Sequence, residues 1–222
     1  MPDLMLGMWA GLQFYWGDIT YLTAQHLHIV AVSGVLALIV ALPLGVWMSR
    51  PSKQRYAMAC MQLLNVGQAI PKLALLALAM SVIGVGGGAA IFGLWVATLL
   101  PVVVNTYEGL RAVPEHLLEA AEAMGMTPAQ RLWKVEIPNA LNVIFAGIRT
   151  ALAINVGTAP LAFLVGGGGL GELIFTGIDL NDFSMMLAGA AATAFLAIAV
   201  DLGCGVIQHV VVSRGLRLAA RE

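Results

Sequence analysis

The stretch AVPEHLLEAAEAMGMTPAQRLWKVEIPN, residues 112–139, is a polar island in a very apolar chain. It carries six charged side chains and one histidine: Glu115, His116, Glu119, Glu122, Arg131, Lys134 and Glu136. Pro114 suits the first position of a helix, because its missing N–H would be unpaired there in any case. Gly125 predicts a left-handed helix stop, and the run TPAQ at 127–130 predicts a capping box that starts a second helix. We therefore expect a compact surface feature made of two short helices.

The composition places the rest of the chain in a membrane. Of 222 residues, 60% are hydrophobic and only 10% are charged, whereas soluble domains carry about 25% charged residues. The mean hydropathy is +0.89. The net charge of −1 argues against nucleic acid as a partner. These numbers predict one integral membrane domain surrounded by lipid.

Five apolar stretches are long enough to cross a bilayer, since about 20 helical residues span its hydrocarbon core. We predict a transmembrane domain over residues 27–212, with spans at about 27–48, 56–83, 89–110, 139–165 and 183–212. Pro71 predicts a break in the second span near Ala69-Ile70-Pro71. The glycine-rich residues 166–182 predict an irregular connection. Residues 1–26, which mix aromatic and acidic side chains, predict an interfacial segment, and residues 213–222 a polar tail.

The distribution of basic residues predicts the orientation of the chain. In a five-span arrangement nine of them lie on one side: Arg50, Lys53, Arg55, Arg111, Arg131, Lys134, Arg214, Arg217 and Arg221. The opposite segments, 1–26, 84–88 and 166–182, contain no lysine or arginine. We therefore expect the polar stretch 113–138 and the C-terminus in the cytoplasm, and the N-terminus outside.

No catalytic or metal-binding pattern emerges from the sequence. The glycine-rich run at 166–171 lacks the Lys-Ser/Thr pair of a phosphate-binding loop. The four histidines are scattered, and Cys60 and Cys204 lie in apolar runs typical of buried thiols. We predict no cofactor or metal in this chain, so any energy-consuming step must be driven by a partner or by an ion gradient.

Three charged residues fall inside predicted spans, where burial in lipid costs at least about 2.5–3.5 kcal/mol at a helix centre. They are Lys72, Arg149 and Asp201. One interpretation is a polar path, and the other is structural pairing or snorkelling toward a membrane face. Lys72 directly follows the Pro71 break, which favours a wet cavity there. The candidate residues of such a polar path through the membrane are Pro71, Lys72, Asn105 and Asn155.

The spacing inside the polar stretch resembles the EAA loop of ATP-binding-cassette importer permeases. That pattern is EAA, three residues, G, nine residues, I, one residue, LP, and here Val135 stands for its isoleucine and Ile137 for its leucine. In that family the loop is a coupling helix seated in a cleft of the cytoplasmic ATPase. The resemblance implies that this contact involves Glu119, Ala120, Ala121, Gly125, Val135, Ile137 and Pro138. The small side chains of Ala120 and Ala121 would let a partner surface approach closely.

The resemblance covers residues 27–212 and points to a substrate class. Residues 69–78 look like the IPALALLAL run of osmoprotectant permeases, which import glycine betaine, carnitine, choline or related quaternary amines. The segments carrying Leu100-Pro101 and Asn105-Thr106-Tyr107, residues 146–149 and residues 165–172 resemble the same branch. Lys72 departs from it, since alanine is usual there. A lysine would repel a cationic headgroup but could attract the carboxylate of glycine betaine or carnitine.

The resemblance implies an all-α fold of about five transmembrane helices, like the methionine permease domain, with the coupling helix between spans 3 and 4. It also implies a bacterial inner-membrane location and a division of labour. A binding protein outside delivers substrate, two identical or related permease subunits form the path, and an ATPase dimer holds ATP and Mg²⁺. Alternatives are a permease for methionine or another small solute, and a secondary transporter driven by an ion gradient. The secondary transporter lacks support from any evident inverted repeat.

Overall fold

A computed structural model describes residues 9–212, and these residues fold into helices with no β-strand among them. Residues 9–14 are helical and precede the first long helix. The helices in chain order are α1 (Trp16–Met48), α2 (Gln54–Ala69), α3 (Lys72–Ile83), α4 (Gly87–Arg111), α5 (Glu115–Ala123), α6 (Pro128–Arg131), α7 (Ile137–Thr158), α8 (Gly171–Asp179) and α9 (Phe183–Val211). The predicted all-α fold is confirmed. The predicted tail at 213–222 lies outside the described residues.

Four helices in this part of the chain have the length and apolar character needed to cross a membrane: Trp16–Met48, Gly87–Arg111, Pro128–Val165 and Phe183–Val211. The pair Pro51–Ala69 and Lys72–Ile83 bends by 97° and makes a fifth if it is counted as one broken span. The break falls at the predicted place. Pro71 disfavours helical geometry in the residue before it, and its own ψ of 132° interrupts the helix before α3 begins.

Two expected boundaries differ from the structure. The first long helix begins at Trp16 and not at residue 27, so much of the predicted interfacial segment is helical. Polar residues in this segment argued against a buried helix, because their hydrogen-bond partners lie far away in the sequence. Gln25 accepts a hydrogen bond from the Gly169 N–H at 3.1 Å, and the fully buried His26 Nε2 lies 3.2 Å from the Val156 carbonyl oxygen. Likewise, residues 166–182, expected to be irregular, contain α8.

The described residues divide into two compact units, and each unit has its own hydrophobic core. The first compact unit comprises the described residues 9–37, 67–98 and 152–201. Its buried side chains come from α1, α3, α4, α7, α8 and α9, and include Val30, Leu76, Leu94, Val156 and Leu173. Gly171 starts α8 against the preceding turn, and a Cβ there would lie 1.9 Å from the Pro160 carbonyl oxygen. Only glycine permits that approach.

The second compact unit comprises the described residues 38–66, 99–151 and 202–212. Leu110, Ala140 and Ile144 form its small buried cluster. Glycines bring its helices together: a Cβ on Gly45 would lie 2.6 Å from Thr106 Cβ, and one on Gly147 would lie 2.4 Å from Asn105 Cβ. Small residues at contacts between helices allow this close packing in membranes. This unit carries the polar stretch 112–139.

Candidate coupling site

The helix α5 is set by local sequence at both ends. Pro114 has a ψ of 134° and is the N-cap residue of α5, so the helix itself begins at Glu115. The prediction that Pro114 is the first helical residue is therefore wrong by one position. Glu115 follows in the first turn, where a negative charge favours the helix N-terminus. Gly125 adopts φ of +72° as predicted. Its N–H donates to the Glu122 carbonyl at 2.8 Å, and the Met126 N–H donates to the Ala121 carbonyl at 3.1 Å, which satisfies carbonyls at the helix end.

The second helix begins as predicted but does not end where expected. The Gln130 N–H donates to Thr127 Oγ1 at 3.3 Å, and the Thr127 N–H donates to Gln130 Oε1 at 2.9 Å, which completes the capping box. The helix α6 is followed without a break by further helical turns and by α7, and together they form one long helix, Pro128–Val165. The prediction of a separate short helix is therefore wrong.

The reason for this continuity lies around Pro138. Proline has no N–H, and its ring crowds the carbonyl four residues earlier, which would normally kink or end an α-helix. Here Leu132–Glu136 form a π-helical turn, in which the Ile137 N–H donates to the Leu132 carbonyl. The Asn139 side chain then donates to the Val135 carbonyl at 2.7 Å. The wider turn accommodates the proline, so α6, this turn and α7 run on as one helix, Pro128–Val165.

The exposed face of α5 includes only part of the predicted contact set. Glu119 and Ala120 are exposed, whereas Ala121 is fully buried within its own unit. Val135, Ile137 and Pro138 are half-buried, and Ile137 packs against the Leu110, Ala140 and Ile144 cluster. Ala121 and Ile137 therefore hold the site in place, and Glu119 and Ala120 offer a surface. A role in coupling stays a prediction for all seven residues.

A chain of alternating charges joins α5 to two other parts of the second unit. Arg50 follows α1 and forms a bidentate pair with Glu136, Nη1 donating to Oε1 at 3.2 Å and Nη2 donating to Oε2. Arg131 Nε donates to the same Glu136 Oε1 at 3.0 Å, and Arg131 Nη1 donates to Glu122 Oε1 on α5. Two guanidinium groups and two carboxylates thus form a neutral network, which we call the Arg50–Glu122 network.

The two carboxylates of this network differ in burial, which is greatest at Glu136 and least at Glu122. The side chain of Glu136 is only 4% exposed, and that of Glu122 is 65% exposed. A buried carboxylate must be paired and hydrogen-bonded, and the two arginines meet that need. The motif does not predict this pairing, because Glu136 occupies its unspecified position between Val135 and Ile137. The available signal was an isolated acid between apolar residues at the start of a span.

A cleft of about 350 Å³ opens beside the network. Its walls come from the turn after α1, the end of α4, the helix α5 and the start of the long helix that follows it. The lining residues include Arg50, Arg111, Glu115, Leu118, Arg131 and Glu136. The cleft therefore combines charged groups with an apolar floor next to the exposed face of α5.

The candidate path residues have different surroundings. Asn155 is fully buried, and its Nδ2 donates to Ser33 Oγ at 2.9 Å and to the Val30 carbonyl at 3.3 Å. Asn105 donates to the Pro101 carbonyl at 2.8 Å. Lys72 is half-buried beside the exposed Pro71, and its Nζ donates to Gln68 Oε1 at 2.9 Å. Asn155 thus serves packing within its unit, and a path-lining role stays a prediction for all four.

Arg149, the second charged residue in a predicted span, has a polar environment within its unit. Its Nη1 lies 3.4 Å from Gln208 Oε1, and Gln208 Nε2 donates to Asn142 Oδ1 at 2.9 Å. Such pairing is usual for ionisable groups within membrane helices. Among residues 9–212, no three His, Cys, Asp or Glu side chains are placed to hold a metal ion.

Long apolar helices and one broken helix pair are typical of the membrane domains of transporters. Residues 41–214 match the family described as the binding-protein-dependent transport system inner membrane component. This chain belongs to that family.

Curated relatives place the chain more closely. It is 53% identical over 184 residues to the osmoprotectant import permease protein OsmY of Salmonella typhimurium, covering 83% of this chain and 78% of the relative. It is 40% identical over 206 residues to the glycine betaine/carnitine/choline transport system permease protein OpuCB of Bacillus subtilis, covering 93% and 94%. The predicted resemblance to osmoprotectant permeases is confirmed.

Solved structures agree with this placement. The inward-facing MetNI methionine transporter matches with a TM-score of 0.77 at 25% identity, covering 88% of this chain and 96% of that chain. An amino-acid transporter matches in fold alone, with a TM-score of 0.69 at 16% identity over 90% and 94% of the two chains. The predicted methionine-permease-like fold is confirmed. The chain is a permease subunit of an ATP-binding-cassette importer, a family that works with an ATPase and a substrate-binding protein in the inner membrane.

Proposed function

We propose that this chain forms part of the path of an ATP-driven importer for quaternary-amine osmoprotectants such as glycine betaine, carnitine or choline. The names of the relatives OsmY and OpuCB support this substrate class. ATP and Mg²⁺ are held by a partner ATPase dimer, and a binding protein outside the cell delivers the substrate. A second permease subunit, identical or related, completes the path.

The observation that carries the coupling mechanism is the Arg50–Glu122 network. The helix α5 docks in a cleft of the ATPase through its exposed face, which includes Glu119 and Ala120. When the ATPase closes on ATP, α5 moves. Glu122 passes this displacement to Arg131 and Glu136 at the start of the long helix Pro128–Val165, and from there to Arg50 at the end of α1. A small movement at α5 thus tilts two long helices and changes which side of the membrane the path faces.

Charge supports a cytoplasmic position for α5. The unit that contains it also holds Arg50, Lys53, Arg55, Arg111, Arg131 and Lys134. Lysine and arginine are enriched on the cytoplasmic side of membrane proteins. Lys53 Nζ lies 5.8 Å from the ring centre of Trp47 and 5.9 Å from that of Tyr56, and such aromatic residues favour the membrane interface. In this orientation the N-terminus is outside and the C-terminus is cytoplasmic.

A methionine importer is a second candidate, because the fold matches that of the MetNI transporter. Reconstitution of the permease with its ATPase and binding protein in proteoliposomes separates these functions. We expect uptake of labelled glycine betaine that requires ATP and the binding protein, and competition by carnitine or choline. Competition by methionine alone would support the second candidate. Uptake by the permease alone under an ion gradient would contradict the ATP-driven mechanism.

A further inference from the structure

Lys72 is a solitary cation in the first compact unit. Among the described residues of that unit, 9–37, 67–98 and 152–201, it is the sole lysine or arginine. The same residues include five acidic side chains: Asp18, Glu172, Asp179, Asp182 and Asp201. None of these carboxylates forms a salt bridge with Lys72. Among the described residues of its own unit, its ammonium therefore has no counterion.

The position of the ammonium is fixed by a short hydrogen-bond relay. Lys72 Nζ donates to Gln68 Oε1 at 2.9 Å, and Gln68 Nε2 donates to the Ala97 carbonyl at 2.5 Å. That carbonyl is available because Pro101, four residues later, has no N–H to donate to it. With its amide nitrogen engaged, Gln68 must present its oxygen to the lysine. An ammonium has three donors, so two remain for another acceptor.

The location of Lys72 limits what that acceptor can be. The residue lies directly after the 97° break between Pro51–Ala69 and Lys72–Ile83, and it is only half-buried. An ammonium facing lipid is costly, and broken helices in membranes occur where protein or a water-filled cavity covers the break. Broken helices also contribute the substrate sites of many transporters. The exposed part of Lys72 therefore faces a polar compartment, and in a permease the substrate path is such a compartment.

We propose that Lys72 determines substrate specificity by pairing with the carboxylate of a zwitterionic quaternary amine. A quaternary amine without a carboxylate gains no such pair and meets a like charge, which is unfavourable. This inference rests on the proposed function and deepens it, because it selects zwitterions such as glycine betaine over cations such as choline within the path itself. Gln68 acts as the positioning residue that holds the ammonium at the break.

The test uses the complete importer in proteoliposomes, with the binding protein saturated by labelled glycine betaine or by labelled choline. The measured quantity is the ratio of the two maximal uptake rates, which removes differences in the amount of active protein. In Lys72→Met we expect this ratio to fall about tenfold, as for loss of one partly desolvated charge pair. Lys72→Arg keeps the charge and should keep most of the ratio. Lys53→Met is the matched control for loss of a lysine elsewhere, and its ratio should equal that of the native protein.

Binding-protein-stimulated ATP hydrolysis reports in each variant whether the importer has assembled. An unchanged ratio in Lys72→Met, with both rates either normal or equally reduced, would show a structural role and overturn the proposal. If the ratio of the two uptake rates falls as far in Lys72→Arg as in Lys72→Met, the shape of the side chain matters and not its charge. That result would also overturn the proposal. If the native importer carries neither compound in an ATP-dependent manner, the proposed function itself fails, and this arm identifies that failure separately.

Discussion

Arg50 and Glu136 are 86 positions apart in the chain, yet their side chains form a bidentate ion pair in which Arg50 Nη1 lies 3.2 Å from Glu136 Oε1. The carboxylate side chain is 4% exposed and the guanidinium side chain 27% exposed. Charged hydrogen bonds of this kind are stronger than neutral ones and fix geometry as well as energy. The pair joins the end of α1 to the turn before α7, and Arg131 extends the connection to α5.

The first prediction concerns removal of the central carboxylate. Glu136→Gln leaves two arginines without their shared anion, and removing one partner of a buried pair costs about 3–5 kcal/mol. Both arginines retain some exposure, so we expect the lower end of that range. The measurement is thermal unfolding of the purified permease in detergent. Glu119→Gln, on the exposed face of α5, is the matched control and should leave the transition within error of the native value.

The double variant Arg50→Met/Glu136→Met tests the pairing itself. Replacing both partners by apolar side chains leaves no unpaired charge between them, so the double variant should be more stable than the sum of the two single variants predicts. Strictly additive losses in free energy of unfolding would show that the two side chains do not interact.

The second prediction concerns the two alanines of the motif. Ala120 is exposed and Ala121 is fully buried. We expect Ala120→Arg to yield a folded permease whose partner ATPase no longer drives uptake, because the added side chain obstructs docking. Ala121→Arg should instead lower the yield of folded protein, since an arginine has no room there. Size-exclusion profiles and uptake assays distinguish the two defects. Normal uptake by Ala120→Arg would contradict docking through this face.

The third prediction concerns the stop of α5. Gly125 has φ of +72°, a conformation that costs other residues about 1–2 kcal/mol. Gly125→Ala should therefore destabilise the protein by about 1 kcal/mol. Gly157, in the helix α7, has open space at its Cβ position and a helical backbone. Gly157→Ala is the matched control and should be neutral or slightly stabilising, by up to about 1 kcal/mol. Equal effects of the two substitutions on unfolding would contradict a left-handed stop.

The fourth prediction concerns pH and the turn before α9. The Met185 N–H donates to Asp182 Oδ1 at 3.0 Å, and the Tyr15 hydroxyl donates to Asp182 Oδ2 at 2.7 Å. These bonds, the backbone bond first, hold the pKa of Asp182 below its ordinary value of 3.8. Because the folded pKa is the lower one, the contribution to stability is present above pH 3.8 and is lost as pH falls through the folded pKa.

Asp182→Asn removes the titrating group. The stability of this variant should therefore fall less steeply than that of the native protein as the pH is lowered through the acid range. Asp179→Asn, which changes a nearby carboxylate at the end of α8, is the control and should leave the limb intact. Unfolding midpoints measured from pH 6 downward give the comparison. An acid limb in Asp182→Asn that matches the native one would show that the turn does not depend on the ionised carboxylate.

Features determined by neighbouring residues were predictable from the sequence. The capping box at Thr127 and Gln130, the left-handed Gly125 and the break at Pro71 all depend on interactions within a few residues. The apolar stretches at 89–110 and 183–212 predicted the ends of the helices Gly87–Arg111 and Phe183–Val211 closely, whereas the helix that begins at Pro128 starts well before the predicted span at 139. Spacing within the motif predicted the family to which the chain belongs.

Tertiary structure alone decided which polar and small residues face inward. The helix α1, which begins at Trp16, runs through Gln25 and His26, and these polar side chains find partners on residues 169 and 156. Ala121 is buried and Ala120 is exposed, although the sequence alone does not distinguish these two neighbouring alanines. Glu136 meets Arg50 only when the end of α1 and the start of α7 are brought together. A hydrogen bond or ion pair between distant residues leaves no periodic trace in the sequence, because its free energy depends on a geometry that the folded chain creates.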